Sequence, residues 1–177
     1  MWIVKYHHRV GTTQGCFYIY LFCRERFIMK ALVTKLVSSN AGVAALVLRV
    51  PVGLTLAAHG AQKLFAWFGG YGLEGTGQYM ASLGLEPGFL MALLAGSAEF
   101  FGGLALALGL LTRPAAAVSA FTMLIAIFSA HIQNGLFLSN GGYEYALVLF
   151  AVTVSLAITG AGRLAVDNVI ARALTTK

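Results

Sequence analysis

Six ionisable side chains lie inside or at the ends of long apolar stretches of this 177-residue chain. They are Arg49, His59, Lys63, Glu99, His131 and Glu144. A charge at the centre of a bilayer costs about 2.5–3.5 kcal/mol on insertion scales, so such residues usually face other protein and form pairs. Imidazole, ammonium and carboxylate groups at one depth suit a polar headgroup, a quinone or a small anion, and they can relay protons. The six residues are therefore candidates for ligand binding or proton relay, and the sequence assigns no catalytic role to any of them.

Helical spacing predicts which of these residues meet. Counted at 1.5 Å per residue, Arg49 and Glu99 both lie about 10 Å above the inner membrane boundary, which predicts an Arg49–Glu99 ion pair. His59 and Lys63 are four residues apart and share a helical face. His131 and Glu144 are expected to line the outer mouth of the same pocket.

A structural interpretation stands beside this functional one. The Arg49–Glu99 pair can serve to fix which helices are neighbours, without any ligand. Lys63 can extend to the outer lipid headgroups, Glu144 can be hydrated at the membrane interface, and His131 can cap its helix.

The elements that must hold these residues are membrane-spanning helices. Hydrophobic residues make up 59% of the chain and charged residues only 10%, where soluble domains carry about a quarter charged residues. Since hydrocarbon requires every backbone group to bond within its own segment, apolar stretches of this length cross as helices. We predict an all-α integral membrane four-helix bundle with spans at about residues 41–65, 88–111, 114–132 and 143–158. Thr112 is expected to cap the third span.

The basic residues predict the orientation of the bundle. They gather on one side of the predicted spans, at Lys30, Lys35, Arg113, Arg163, Arg172 and Lys177. Glu74 and Glu86 lie on the other side. The positive-inside rule then places both termini in the cytoplasm.

Charge and cysteine usage exclude other classes of function. The net charge is +6, but no dense basic cluster accompanies stacking aromatic residues, so nucleic acid is not an expected partner. Cys16 and Cys23 offer no metal framework, and no metal site is predicted. Residues 1–28, rich in aromatic and charged residues, are interpreted as a poorly ordered extension upstream of a start at Met29. The alternative is an interfacial amphipathic anchor. Residues 29–177 form the predicted membrane domain.

Several short motifs resemble the DoxX family of small bacterial membrane proteins. They are His59-Gly60-Ala61-Gln62-Lys63, Glu99-Phe100-Phe101-Gly102-Gly103, Gly109-Leu110-Leu111-Thr112-Arg113, Gly142-Tyr143-Glu144-Tyr145 and Gly160-Ala161-Gly162-Arg163. The likeness covers roughly residues 43–168. It implies a multi-pass, four-helix protein of the bacterial inner membrane that is associated with oxidoreductase systems. The family is similar to the small membrane subunit of thiosulfate:quinone oxidoreductase, and some relatives are linked to peripheral redox enzymes. Such a likeness does not by itself establish catalysis.

The leading expectation is therefore a membrane subunit of a redox assembly, at most a quinone-linked oxidoreductase subunit, that binds a quinone-like ligand. The expected partners are the lipid bilayer, peripheral oxidoreductase subunits and further copies of the chain. Two alternatives are a small transporter for a proton or solute and a non-catalytic scaffold. A haem held by His59 and His131 is disfavoured, because the paired intrahelical histidines of multi-haem bundles are absent.

Overall fold

The computed structural model describes residues 24–25, 28–39 and 41–175, and the regular elements in that part of the chain are all helices. The chain divides into two compact units, residues 1–35 and 36–177. Helix α1 covers residues 28–37, and within it the Thr34 hydroxyl donates to the Lys30 carbonyl at 2.7 Å. The extension expected over residues 1–28 falls almost entirely outside the described residues.

In the described part of the second unit there are six further α-helices. They are α2 (Ala44–Phe65), α3 (Gly72–Ser82), α4 (Gly88–Leu108), α5 (Thr112–Ala126), α6 (Glu144–Thr159) and α7 (Val166–Thr175). Helix α5 continues through a wide turn at Ile127–His131 and a tighter turn at Ile132–Asn134. Among the described residues, three stretches are long and apolar enough to cross a membrane: Ala44–Phe65, Gly88–Leu108 and Thr112–Asn134. The all-helical prediction is confirmed for the described residues, whereas α6 is apolar but has only 16 residues.

Glycines bring α2 and α4 into close contact. A Cβ atom added at Gly60 would lie 2.3 Å from the backbone nitrogen of Phe100, and one added at Gly103 would lie 2.5 Å from that of Ala57. Small residues let helices in lipid approach this closely, since packing must replace the hydrophobic driving force that water supplies. This seam fixes the register between the two helices and so decides which polar side chains meet.

The outer surface of the second unit is strongly apolar. Buried positions between the helices include Leu56, Leu106, Leu149 and Leu156, while large side chains such as Leu54, Phe101, Phe121 and Val148 point outward. Soluble monomers rarely expose extended apolar surfaces. The outward residues are instead suited to contact lipid.

The short joint between α4 and α5 is closed by a residue from the far end of the chain. The Asp167 carboxylate accepts the backbone N–H groups of Leu111 at 2.7 Å and Thr112 at 2.9 Å. The start of α5 shows no side-chain cap of its own, so the prediction that Thr112 caps this helix is wrong. A carboxylate at a helix N-terminus satisfies free N–H groups and complements the helix dipole.

Candidate functional site

A cavity of about 630 Å³ lies among α2, α4, α5 and α6, and the end of α3 covers part of it. Small-molecule sites commonly have volumes of about 300–1,000 Å³, apolar walls and a few polar groups. This cavity has that character, with Leu, Met, Ala and Phe side chains over most of its wall. Its polar and ionisable lining residues are His59, Lys63, Tyr79, Glu99, Thr122, Ser129, His131 and Tyr145.

Lys63 and Glu99 form an ion pair at the cavity wall. Lys63 Nζ lies 2.5 Å from Glu99 Oε2, and the side chains are 24% and 4% exposed. The α2–α4 seam positions the pair, since a Cβ atom at Gly96 would lie 3.2 Å from Lys63 Cβ. An ammonium group carries three donors, so Lys63 can bond Glu99 and still donate to a ligand.

His59 lies one helical turn before Lys63 and packs against Tyr145 of α6. The centroids of the His59 and Tyr145 rings are 5.9 Å apart, at an interplanar angle of 57°. Sequence reasoning missed Tyr145 and selected its neighbour Glu144. Adjacent helical residues point about 100° apart, so the direction of the first turn of α6 was the missing information.

His131 ends the wide turn of α5 and lines the cavity. Its Nδ1 atom lies 2.7 Å from the carbonyl oxygen of Gly141. Because a carbonyl only accepts, this contact assigns the proton to Nδ1 and leaves Nε2 as an acceptor in the neutral ring.

The predicted Arg49–Glu99 pair is wrong. Arg49 is buried to 1% exposure, but its guanidinium donates to carbonyl oxygens at distances of 2.5 to 3.5 Å. These carbonyls belong to Leu106, Ala107, Ala161, Arg163 and Leu164. The last carbonyls of a helix lack intrahelical partners and form the negative end of its dipole, so a cation at the end of α4 stabilises it.

The register of the α2–α4 seam explains this outcome. Gly53 packs against Gly103 and Ala107, which places Arg49 next to the C-terminal end of α4. Glu99 lies seven and eight residues before Leu106 and Ala107, whose carbonyls Arg49 contacts, or roughly 11 Å away along the helix. The depths of Arg49 and Glu99 are counted from predicted helix ends, and errors of a few residues in both ends together are as large as this distance.

Glu144 also takes a different place from the one expected. Its Oε1 atom accepts the backbone N–H of Leu138 at 2.7 Å, which closes the loop before α6. The residues that line the cavity include His131 but neither Glu144 nor Arg49. Of the six candidates, the structure therefore brings together His59, Lys63, Glu99 and His131.

Fold and site together define a small multi-pass α-helical membrane protein with an apolar interior cavity and one ion pair in its wall. The DoxX family model matches residues 44–132, a range that contains the four cavity-lining candidates and Arg49. The chain belongs to the DoxX family, so the resemblance is confirmed.

Two curated relatives agree with this assignment. The Bacillus subtilis protein named "Putative oxidoreductase CatD" is 34% identical over 125 residues, which cover 71% of this chain and 85% of the relative. The Escherichia coli protein named "Inner membrane protein YqjF" is 36% identical over 105 residues, covering 56% of this chain and 75% of the relative. No solved structure matches the chain significantly. The family and the apolar helices establish a bacterial inner-membrane protein.

Proposed function

We propose that this protein is the membrane subunit of a redox system and that its cavity binds a quinone-like ligand. The observation that carries the proposal is the Lys63–Glu99 pair at the wall of an apolar cavity of about 630 Å³. The name of the Bacillus subtilis relative supports a redox association.

The lining residues suit the two parts of a quinone. Lys63 and His59 lie one turn apart on α2 and can donate hydrogen bonds to quinone oxygens, while the apolar wall contacts the ring. Reduction of a quinone to a hydroquinone consumes two electrons and two protons. In this proposal a peripheral oxidoreductase subunit supplies the two electrons and the aqueous phase supplies the two protons. Lys63 passes each proton to the ligand and is reprotonated in turn, while the ionised Glu99 carboxylate stabilises the Lys63 cation.

We further propose a four-helix bundle in which α6 is the fourth crossing and both termini are cytoplasmic. The contacts of two basic residues support it. Arg113 donates to the carbonyls of Ala157 and Ile158, and the backbone N–H of Arg163 donates to the carbonyl oxygen of Gly42 at 2.8 Å. The start of α2, the start of α5 and the residues after α6 thus lie at one end of the helices, together with Arg113 and Arg163, and the positive-inside rule makes that end cytoplasmic. Helix α6 is about 24 Å long, and local thinning of the bilayer accommodates a short span.

The test is a titration of the full chain in lipid nanodiscs with decylubiquinone, measured by calorimetry. We expect saturable binding, and we expect Lys63→Met and His59→Ala each to weaken it about tenfold. Val148→Ala, on the lipid-facing surface of α6, is the control and should bind as the wild type does. Absence of binding, or equal affinity in Lys63→Met, His59→Ala and the wild type, contradicts the proposal.

The transporter alternative makes a different prediction. If the polar groups passed a proton or small solute, proteoliposomes would show a flux that Glu99→Gln changes. The mostly apolar wall of the cavity favours a ligand with a large apolar surface over a hydrated solute. A scaffold without a ligand predicts that the same variants change stability or assembly and no binding.

A further inference from the structure

The wall of the cavity between α4 and α5 is formed by side chains that also face the surroundings. Leu94 of α4 and Phe121 and Ile125 of α5 line the cavity, and they are 55%, 63% and 41% exposed. A single layer of side chains therefore separates the cavity from the outside between these two helices.

The same two helices are closed at their other end. The joint at residues 109–111 connects them directly, and a Cβ atom added at Gly102 would lie 3.0 Å from Ser119 Oγ. Beyond this contact the facing residues are Ala98 and Leu94 on α4 and Thr122 and Ile125 on α5, all of which line the cavity. The helices thus touch near their joint and leave a gap toward α3.

The gap lies at hydrocarbon depth. Both helices belong to stretches long and apolar enough to cross a membrane, and Ile125 is near the middle of Thr112–Asn134. At 1.5 Å per residue it lies roughly 20 Å from the start of α5, within a hydrocarbon core of about 30 Å. The molecules outside the gap are therefore lipid chains.

The ion pair and the thin wall between α4 and α5 occupy different parts of the cavity surface. The Lys63–Glu99 pair and the His59–Tyr145 contact occupy the wall made by α2, α4 and α6. The gap is lined by alkyl and aromatic groups of Leu94, Phe121 and Ile125, and the Thr122 hydroxyl beside them donates to the Val118 carbonyl at 3.1 Å. A molecule that fits both regions has a polar head and a hydrocarbon tail.

We propose that the gap between α4 and α5 is a lateral portal to the bilayer, and that the ligand is a lipid-soluble amphiphile. Its head contacts the Lys63–Glu99 pair, and its hydrocarbon tail lies in the portal beside Leu94, Phe121 and Ile125. The nature of the head rests on the proposed quinone function, whereas the portal rests on the exposed lining residues.

The first test compares two probes that share one head. They are decylubiquinone and the same dimethoxy-methyl-benzoquinone ring without its alkyl chain, each titrated against the full chain in nanodiscs. Leu94→Trp and Ile125→Trp fill the portal, and Leu104→Trp is the control because Leu104 is exposed on the same helix as Leu94 but does not line the cavity. We expect the portal variants to bind decylubiquinone about tenfold more weakly than the wild type does. Their affinity for the tailless ring should change less than about twofold, and the control should bind both probes as the wild type does.

The possible results separate the two proposals. If Lys63→Met loses binding while both portal variants bind decylubiquinone as the wild type does, the portal proposal is wrong and the proposed binding site for the head stands. If neither probe binds the wild type, the quinone function fails, and the portal is then decided by the second test.

The second test needs no added ligand. Leu149→Trp, at a buried position that lines the cavity, is made in a chain that also carries Trp2→Phe and Trp67→Phe, which removes both native tryptophans. In nanodiscs with lipids brominated along their acyl chains, we expect its fluorescence to be quenched at least about twofold, because a portal open to lipid admits the quencher. Fluorescence that is unchanged by brominated lipid overturns the portal.

Discussion

Lys63 and Glu99 are joined across the α2–α4 seam by a contact of 2.5 Å between Nζ and Oε2, at the wall of the cavity. Their surroundings are unequal: the carboxylate is almost fully enclosed, while about a quarter of the lysine side chain is open. Loss of the cation therefore leaves an enclosed charge, whereas loss of the anion leaves a charge that can still reach the cavity. This asymmetry is the basis of a stability test.

Lys63→Met should destabilise the protein more than Glu99→Gln. Breaking a buried pair by removing one partner costs about 3–5 kcal/mol, because the remaining charge is left unpaired. The double variant Lys63→Met/Glu99→Gln leaves no unpaired charge and should recover most of that loss. The measurement is the thermal unfolding midpoint of all four proteins in one detergent. A double variant as unstable as the sum of the single variants would show that the pair is not coupled.

Arg49→Met should be among the most damaging single changes. It removes the guanidinium donor from the carbonyls of Ala107, Ala161 and Leu164, and a buried unsatisfied polar group costs about 1–3 kcal/mol each. Arg49→Lys should not restore stability, since a single ammonium cannot reach carbonyls on two separate segments. The measurement is the monodisperse fraction after detergent extraction. Val47→Ala, on the exposed face of α2, is the control; a well-folded Arg49→Lys protein would contradict this account.

The sequence predicted the helical class and the positions of the membrane stretches because those follow from composition and from the length of apolar runs. It also selected His59, Lys63, Glu99 and His131, since polar groups in apolar helices must turn inward. Which of them meet depends on interhelical register. Gly60 against Phe100 fixes that register to a single residue, and periodicity within one helix carries no such information.

Two further residues escaped sequence reasoning for related reasons. Tyr145 lines the cavity because α6 is rotated about its axis so that this residue faces inward. The sequence alone does not show whether Glu144 or Tyr145 faces inward, because both are polar. Asp167 caps α5 although it lies 55 residues after Thr112 in the sequence. Such a contact depends on how the chain returns after α6, and no local signal near Thr112 indicates it.

Gly60→Ala should damage the protein far more than Gly102→Ala. At Gly60 the added methyl group meets backbone atoms of α4 at 2.3 to 2.7 Å, so the helices must separate, and overpacking of this kind costs about 1–3 kcal/mol. At Gly102 the nearest atom is Ser119 Oγ at 3.0 Å, a side chain that can rotate. Replacing a helical glycine also gains up to about 1 kcal/mol of helix propensity at either site.

The unfolding midpoints of these two glycine variants in detergent measure the effect. We expect a clear loss for Gly60→Ala and little change for Gly102→Ala. Equal midpoints would show that α2 and α4 are not in close contact at Gly60.

Tyr145→Phe should weaken quinone binding without changing stability. The phenyl ring keeps its packing against His59, so the contact between α2 and α6 is preserved. The lost hydroxyl removes one hydrogen bond to the ligand, worth about 1 kcal/mol or roughly fivefold in Kd. Tyr143→Phe is a matched control, because Tyr143 does not line the cavity. Decylubiquinone titrations in nanodiscs and thermal midpoints of both variants provide the measurement. If Tyr145→Phe bound the probe as tightly as Tyr143→Phe, the hydroxyl would have no part in recognition, and the head of the ligand would be held by the α2 side of the cavity alone.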